Sequence, residues 1–187
     1  MDITQYKPNF NEDYVNKRFK QYCDIVNYKM KNHQKPHNSR FRQGFYVPKR
    51  AIKCLNVMET AEPQIITWRS GWEKDFCEWC DTNDAVIRWG SEVIKILYRN
   101  PLKNKMCFYI PDFYIEVLTK DMKIDKYLIE VKPMSQSSLK ETSNGYDRVQ
   151  LAINSLKWKS AIEFCKKRDM KFKIITERDL GINKWGQ

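Results

Sequence analysis

Between Tyr109 and Pro133 lie two apolar runs, one through Tyr109-Ile110-Pro111-Asp112-Phe113 to Leu118 and one through Tyr127-Leu128-Ile129-Glu130-Val131-Lys132, joined by the polar stretch 119–126. Both are rich in strand-forming residues, and a turn-like connector is what a hairpin requires. Side chains alternate along a strand, so Ile129 and Val131 face one layer while Leu128, Glu130 and Lys132 face the other. Pro133 cannot donate to a ladder and stops the second strand, leaving Glu130 and Lys132 near its end. If 112–118 pairs alongside, the Asp112 carboxylate comes close to Glu130. Two hard oxygen donors with no histidine suit Mg²⁺ or Mn²⁺ better than zinc. The competing reading is an exposed strand end with one surface ion pair.

A chain of 187 residues, 42% hydrophobic and 13% aromatic, can bury a core without disulfide staples. Its six cysteines (Cys23, Cys54, Cys77, Cys80, Cys107, Cys165) follow no framework spacing and are expected to be free thiols. No apolar run approaches the ~20 residues of a membrane span, and the first residues lack a signal-peptide h-region, so an intracellular location with no membrane partner is expected.

The net charge of +11 is concentrated at one end: residues 1–53 carry 12 Lys/Arg against 4 Asp/Glu, and residues 54–187 carry 22 against 19. The division suggests an N-terminal extension, 1–53, ahead of a main domain, 54–187. A polyanion such as double-stranded DNA is the natural partner for the extension, through sequence-independent phosphate contacts. An acidic protein partner, or solubility alone, is compatible with the same charge.

Residues 11–30 show helical spacing through Tyr14, Phe19, Tyr22, Ile25 and Val26. The segment 29–53 then has eight Lys/Arg and no carboxylate, with Phe41, Phe45 and Tyr46 among them. Lys35, Arg40, Arg42, Lys49 and Arg50 are its candidate phosphate contacts. A structureless linker is the alternative. His33 and His37 are not expected to join Cys77 and Cys80 on a metal, because Pro36 breaks the helix that would align them and the pairs lie far apart. The two cysteines instead read as small apolar residues on a helix.

Ser70-Gly71-Trp72-Glu73 matches a capping box opening that helix, whose apolar stripe is Trp72, Phe76, Trp79 and Cys80. Spacing alone favours Glu73 as a cap folded back on the Ser70 amide over a glutamate pointing to the sheet. Strands are predicted at 85–89, 93–98 and 106–110, with a turn at 100–104, as a meander delivering Asp112; Glu92, at the Gly90 break within it, reads as a solvated turn carboxylate, with a role at the site as the alternative. After the polar loop 134–145, residues 146–167 form the longest helical pattern, followed by a strand at 172–176. The order implies an α/β fold, one central mixed β-sheet flanked by helices.

The Pro111-Asp112 pair and the later Glu130-Val131-Lys132 resemble the PD-(D/E)xK nuclease signature. With residues 40–46, Trp68-Arg69-Ser70-Gly71-Trp72-Glu73, Trp89-Gly90-Ser91-Glu92 and residues 172–177, this order is similar to that of the head-completion nucleases of T-even-type tailed bacteriophages. That PD-(D/E)xK family is akin to the endonuclease subunit of certain cut-and-paste transposases, and the likeness spans residues 40–180. It implies a restriction-endonuclease-like core and Mg²⁺-dependent DNA cleavage with no small-molecule cofactor. Asp112 and Glu130 would be direct metal ligands, Glu73 a further ligand or orienter against the spacing-only reading, and Lys132 the residue orienting or helping to deprotonate the attacking water. It further implies trimming of packaged DNA ends before tail joining, in the host cytoplasm or on the virion head, with portal or head proteins as partners. A non-enzymatic head-assembly protein and an end-cleaving transposition or repair nuclease are the alternatives.

Overall fold

The computed structural model describes residues 10–32, 43–133, 145–176 and 178–179. The predicted helix near the N-terminus is α1, Glu12–Lys31. Asn11 caps it by accepting from the Tyr14 amide at 2.8 Å, and acids in its first turn and lysines in its last suit the helix dipole. Arg18, Tyr22 and Val26 repeat every four residues and form its buried stripe. Arg18 can be buried because its guanidinium donates to the Val57 carbonyl in the short helix α2, Leu55–Met58, and to the Thr60 and Ala61 carbonyls just beyond it.

Next come β1, Gly44–Tyr46, and β2, Ile66–Trp68, an antiparallel pair that sequence reading missed because each strand has three residues. The Tyr22 hydroxyl ties α1 to both strands, donating to the Tyr46 carbonyl and accepting from the Ile66 amide. The part of the basic segment from residue 43 onward folds against helix α3, Gly71–Thr82, where buried Asp81 accepts from the Tyr46 hydroxyl and the Lys49 and Arg50 amides. Tyr46 and Ala51 share one apolar cluster with Cys54, Val57 and Ile129, so packing runs unbroken across residues 53 and 54.

The central sheet is mixed, with strand order β3-β6-β7-β8: β3 (Val86–Ser91), β6 (Phe113–Leu118) and β7 (Ile124–Val131) are antiparallel neighbours, and β8 (Lys171–Ile175) lies parallel to β7. Helix α4, Gly145–Lys166, makes the crossover into β8. Ile129 and Val131 pack on one side with Phe76, Cys77 and Cys80 of α3, while Leu128 packs on the other with Ala161 and Cys165. This is the predicted alternation. Gly90 lets α2 approach the sheet, since a Cβ there would come 2.9 Å from both Leu55 and Val93 side-chain atoms.

The predicted meander is corrected in one respect. Among the described residues β4, Ile96–Asn100, and β5, Lys105–Tyr109, pair only with each other and form a separate hairpin packed beside α4. Glu92, held at φ 55, turns the chain out of the sheet after β3, leaving the edge of β3 to pair with β6. All six cysteines are free, and Cys77 and Cys80 are fully buried, with burial pushing both thiols well up. His33 and His37 lie outside the described residues.

Candidate active site

β6 and β7 pair from Phe113 opposite Ile129 onward, which brings Asp112, just before β6, against the end of β7. The Asp112 Oδ2 atom accepts from the Val131 amide at 2.7 Å. Glu130 is 5% exposed; its Oε2 accepts from the Tyr109 hydroxyl at 2.6 Å and its Oε1 meets Lys132 Nζ at 3.0 Å. Burial is the larger effect and the Glu130 charge the next; together they push the Asp112 carboxyl up to about 7, against the pull of Lys132 and the Val131 amide. Burial would lower the Lys132 ammonium, but Glu130 and Asp112 outweigh it and hold it above its ordinary value. Lys132 is therefore a cation at neutral pH. Burial and then Glu130 push the Tyr109 phenol far up, so it stays a hydrogen-bond donor.

Glu73 lies within the electrostatic reach of this group, raising both Asp112 and Lys132, yet its carboxylate is used elsewhere. The Ser70 Oγ accepts from the Glu73 amide at 3.2 Å, while Glu73 Oε2 accepts from the Arg69 amide at 2.7 Å and Oε1 from the Ser70 hydroxyl at 3.1 Å. The box forms, with the Arg69 amide in place of the expected Ser70 amide. Glu92 pairs with Arg69 at 2.5 Å.

Two contributors escaped sequence reading. Tyr109 points inward because β5 alternates, and its place three residues before Asp112 was a usable signal. Asn56 gave none: from α2 it donates to the Ser91 carbonyl and accepts from the Ser91 amide, both at 2.8 Å. Glu92, next in the chain, donates its amide to the Asp112 carbonyl at 3.0 Å. Asn56 is thus a positioning residue for the Asp112 backbone. Of the candidate phosphate contacts, Lys49 pairs with Glu78 and Arg50 with Asp84, while Lys35, Arg40 and Arg42 lie outside the described residues.

Among the described residues no three His, Cys, Asp or Glu side chains converge as a ready-made metal cage. Asp112 and Glu130 alone fit a hard cation that takes its other ligands from water and phosphate, the habit of Mg²⁺.

The raised Asp112 carboxyl has a measurable consequence in metal-free buffer. Folded protein keeps that proton up to about pH 7, whereas an unfolded aspartate releases it near 4, so the folded state binds more protons in between. Stability should fall as pH rises through this window, by up to about 4 kcal/mol for a three-unit rise. Melting in EDTA at closely spaced pH values should show the loss in wild type and not in Asp112→Asn. Parallel curves for the two proteins would contradict it.

The family described as "TnsA-like endonuclease N terminal" matches residues 83–177, from just after α3 to just past β8. Over 149 residues, 73% of this chain and 92% of the relative, the sequence is 33% identical to the head completion nuclease of Enterobacteria phage T4. Both matches agree with the resemblance drawn from the sequence stretches, and the observed mixed α/β architecture is the one expected of it. With its matched segment spanning all four strands of the central sheet and the loop that carries Asp112, the chain belongs to the TnsA-like endonuclease family.

Proposed function

We propose that this protein is a metal-dependent endonuclease that cuts double-stranded DNA in phage head completion, processing or trimming packaged DNA ends before tail joining. The observation that carries the reading is the convergence of Asp112, Glu130 and Lys132 at the end of β7 in a chain of an endonuclease family. The head-completion setting rests on the likeness to the T4 protein.

Asp112 and Glu130 would hold Mg²⁺ or Mn²⁺. When bound, the ion supplies Lewis acidity toward the phosphate and the attacking water. Tyr109 fixes the Glu130 carboxylate through its hydroxyl, and the Val131 amide fixes Asp112. Lys132, kept charged by its neighbours, serves as a cation orienting water and offsetting phosphate charge rather than as a base in the free enzyme. Glu73 can join as ligand or orienter by exchanging its hold on the Arg69 amide for the site. The basic segment 29–53 would follow the phosphate backbone through Lys35, Arg40, Arg42, Lys49 and Arg50. Portal or head proteins are the partners that would bring the enzyme to the DNA end, in the host cytoplasm or on the head.

Supercoiled plasmid incubated with purified protein should be nicked and linearised in Mg²⁺ or Mn²⁺ and left intact in EDTA. Plasmid that is bound yet remains supercoiled in both metals would instead indicate an assembly protein on a nuclease fold.

A further inference from the structure

The β4–β5 hairpin buries one face and leaves the other bare. Ile96, Tyr98 and Tyr109 turn inward, whereas Leu97 (55% exposed), Met106 (57%) and Phe108 (64%) turn outward. The register sets Leu97 directly opposite Phe108, and Arg99 opposite Met106, so the outer surface is a ladder of apolar rungs flanked by a cation. From Val93 to Ile110 the chain has Lys95, Arg99, Lys103 and Lys105 and not one carboxylate. None of these four makes an ion pair among the described residues.

A cluster of exposed apolar side chains on one strand face is the mark of an interaction surface. Its charge is complementary to a polyanion, but phosphates alone give the exposed apolar side chains nothing to pack against. Base faces do, and in an intact duplex those faces are stacked inside. Unpaired nucleotides offer both backbone charge and open rings, the pairing that a stacking surface with interspersed cations accepts. Position narrows this further. From Phe108 the chain passes through Tyr109, the last residue of β5, whose hydroxyl holds Glu130, and reaches Asp112 four residues on. At strand rise that is no more than about 13 Å, the length of about four stacked nucleotides.

We infer that the outer face of the β4–β5 hairpin, with Phe108 and Leu97 against the bases and Lys95 and Arg99 along the backbone, holds unpaired nucleotides flanking the cleaved phosphate. The preferred substrate is then a duplex carrying a single-stranded segment rather than an uninterrupted duplex. This rests on the endonuclease reading above.

Full-length Asp112→Asn protein, which should bind without cutting, is titrated with a fluorescent blunt duplex and with the same duplex bearing a tail of about four nucleotides, in each polarity. The tailed DNA of one polarity should bind roughly tenfold tighter or more. Adding Leu97→Ser and Phe108→Ser should remove that advantage and leave blunt-duplex binding within about twofold. Both residues are more than half exposed, so folding should be preserved, as circular dichroism would verify. With 2-aminopurine in the tail, binding should quench its fluorescence in the parent protein and not in the hairpin variant; single Phe108→Ala should be intermediate. Equal affinity for blunt and tailed DNA, or equal loss on both, would overturn the inference. Unchanged binding of both DNAs in the variant would overturn it in favour of an acidic protein partner. No binding to any DNA, together with no plasmid cleavage by wild type, would instead bring down the endonuclease reading itself.

Discussion

Asp112→Asn and Glu130→Gln should each lower DNA cleavage in Mg²⁺ by at least about a thousandfold while leaving DNA binding nearly intact. Each change keeps the shape of the side chain and removes one of the two charges proposed to hold the cation. Losing roughly 4 kcal/mol of transition-state stabilisation, at 1.36 kcal/mol for each tenfold, gives this order of effect. Binding should survive because phosphate affinity comes from basic residues elsewhere, and removing a negative charge beside the DNA reduces repulsion. Asp112→Asn should also melt higher than wild type in EDTA at neutral pH, because burial, and next the Glu130 charge, oppose ionisation of Asp112, a cost the neutral amide does not carry. Loss of cutting with retained fold and binding separates a chemical role from a structural one. Single-turnover cleavage on end-labelled duplex measures the rate, and either variant cutting at the wild-type rate would remove Asp112 and Glu130 from the chemistry.

Arg88→Met should destabilise the protein by about 3–5 kcal/mol, the usual result of removing one partner from a buried charge network. Arg88 on β3 sits opposite Glu116 on β6 and is 7% exposed. Its Nε donates to Glu59 Oε1 at 2.7 Å, its Nη2 also pairs with Glu59, and its Nη1 donates to Glu116 Oε1 at 2.7 Å. The Tyr114 hydroxyl donates to the same Glu116 oxygen, and Glu116 is 1% exposed. Without the guanidinium, both carboxylates face burial with little compensation. Adding Glu59→Gln and Glu116→Gln to Arg88→Met should recover much of the loss, since neutral amides do not carry the desolvation cost of a charge. Urea unfolding midpoints of the single and triple variants decide it. A triple variant no more stable than Arg88→Met would show that side-chain volume, not charge, holds this part of the sheet.

Neither the network nor the hairpin surface was foreseen, whereas α1, α3, α4 and the β6–β7 pair were. Those elements are written in local periodicity: the four-residue stripe of α1, the Ser70 cap of α3, and the alternation that sends Leu128 one way and Ile129 the other. The same alternation, ended by Pro133, put Glu130 and Lys132 at the tip of β7, and hairpin pairing brought Asp112 beside them. What local pattern could not state is which edges meet. β3 pairs with β6 instead of β4 because Glu92 turns the chain away and the inward residues Ile96, Tyr98 and Tyr109 of the β4–β5 hairpin join the cluster of Ala161 and Cys165 on α4. Arg88 found Glu59 and Glu116, and Asn56 found Ser91, across sequence separations that no period spans. Glu73 illustrates the boundary. Its spacing correctly announced a cap, the family likeness assigned it to the site, and the fold holds its carboxylate on the Arg69 amide within electrostatic reach of Asp112. The sequence by itself determined the helices, the faces of the strands and the pair of carboxylates, because these depend on neighbours a few residues apart. The tertiary structure alone decided the supports of that pair, Tyr109 and Asn56, and the bare face of the β4–β5 hairpin, because burial and hydrogen bonding between distant segments exist only once the chain has closed on itself.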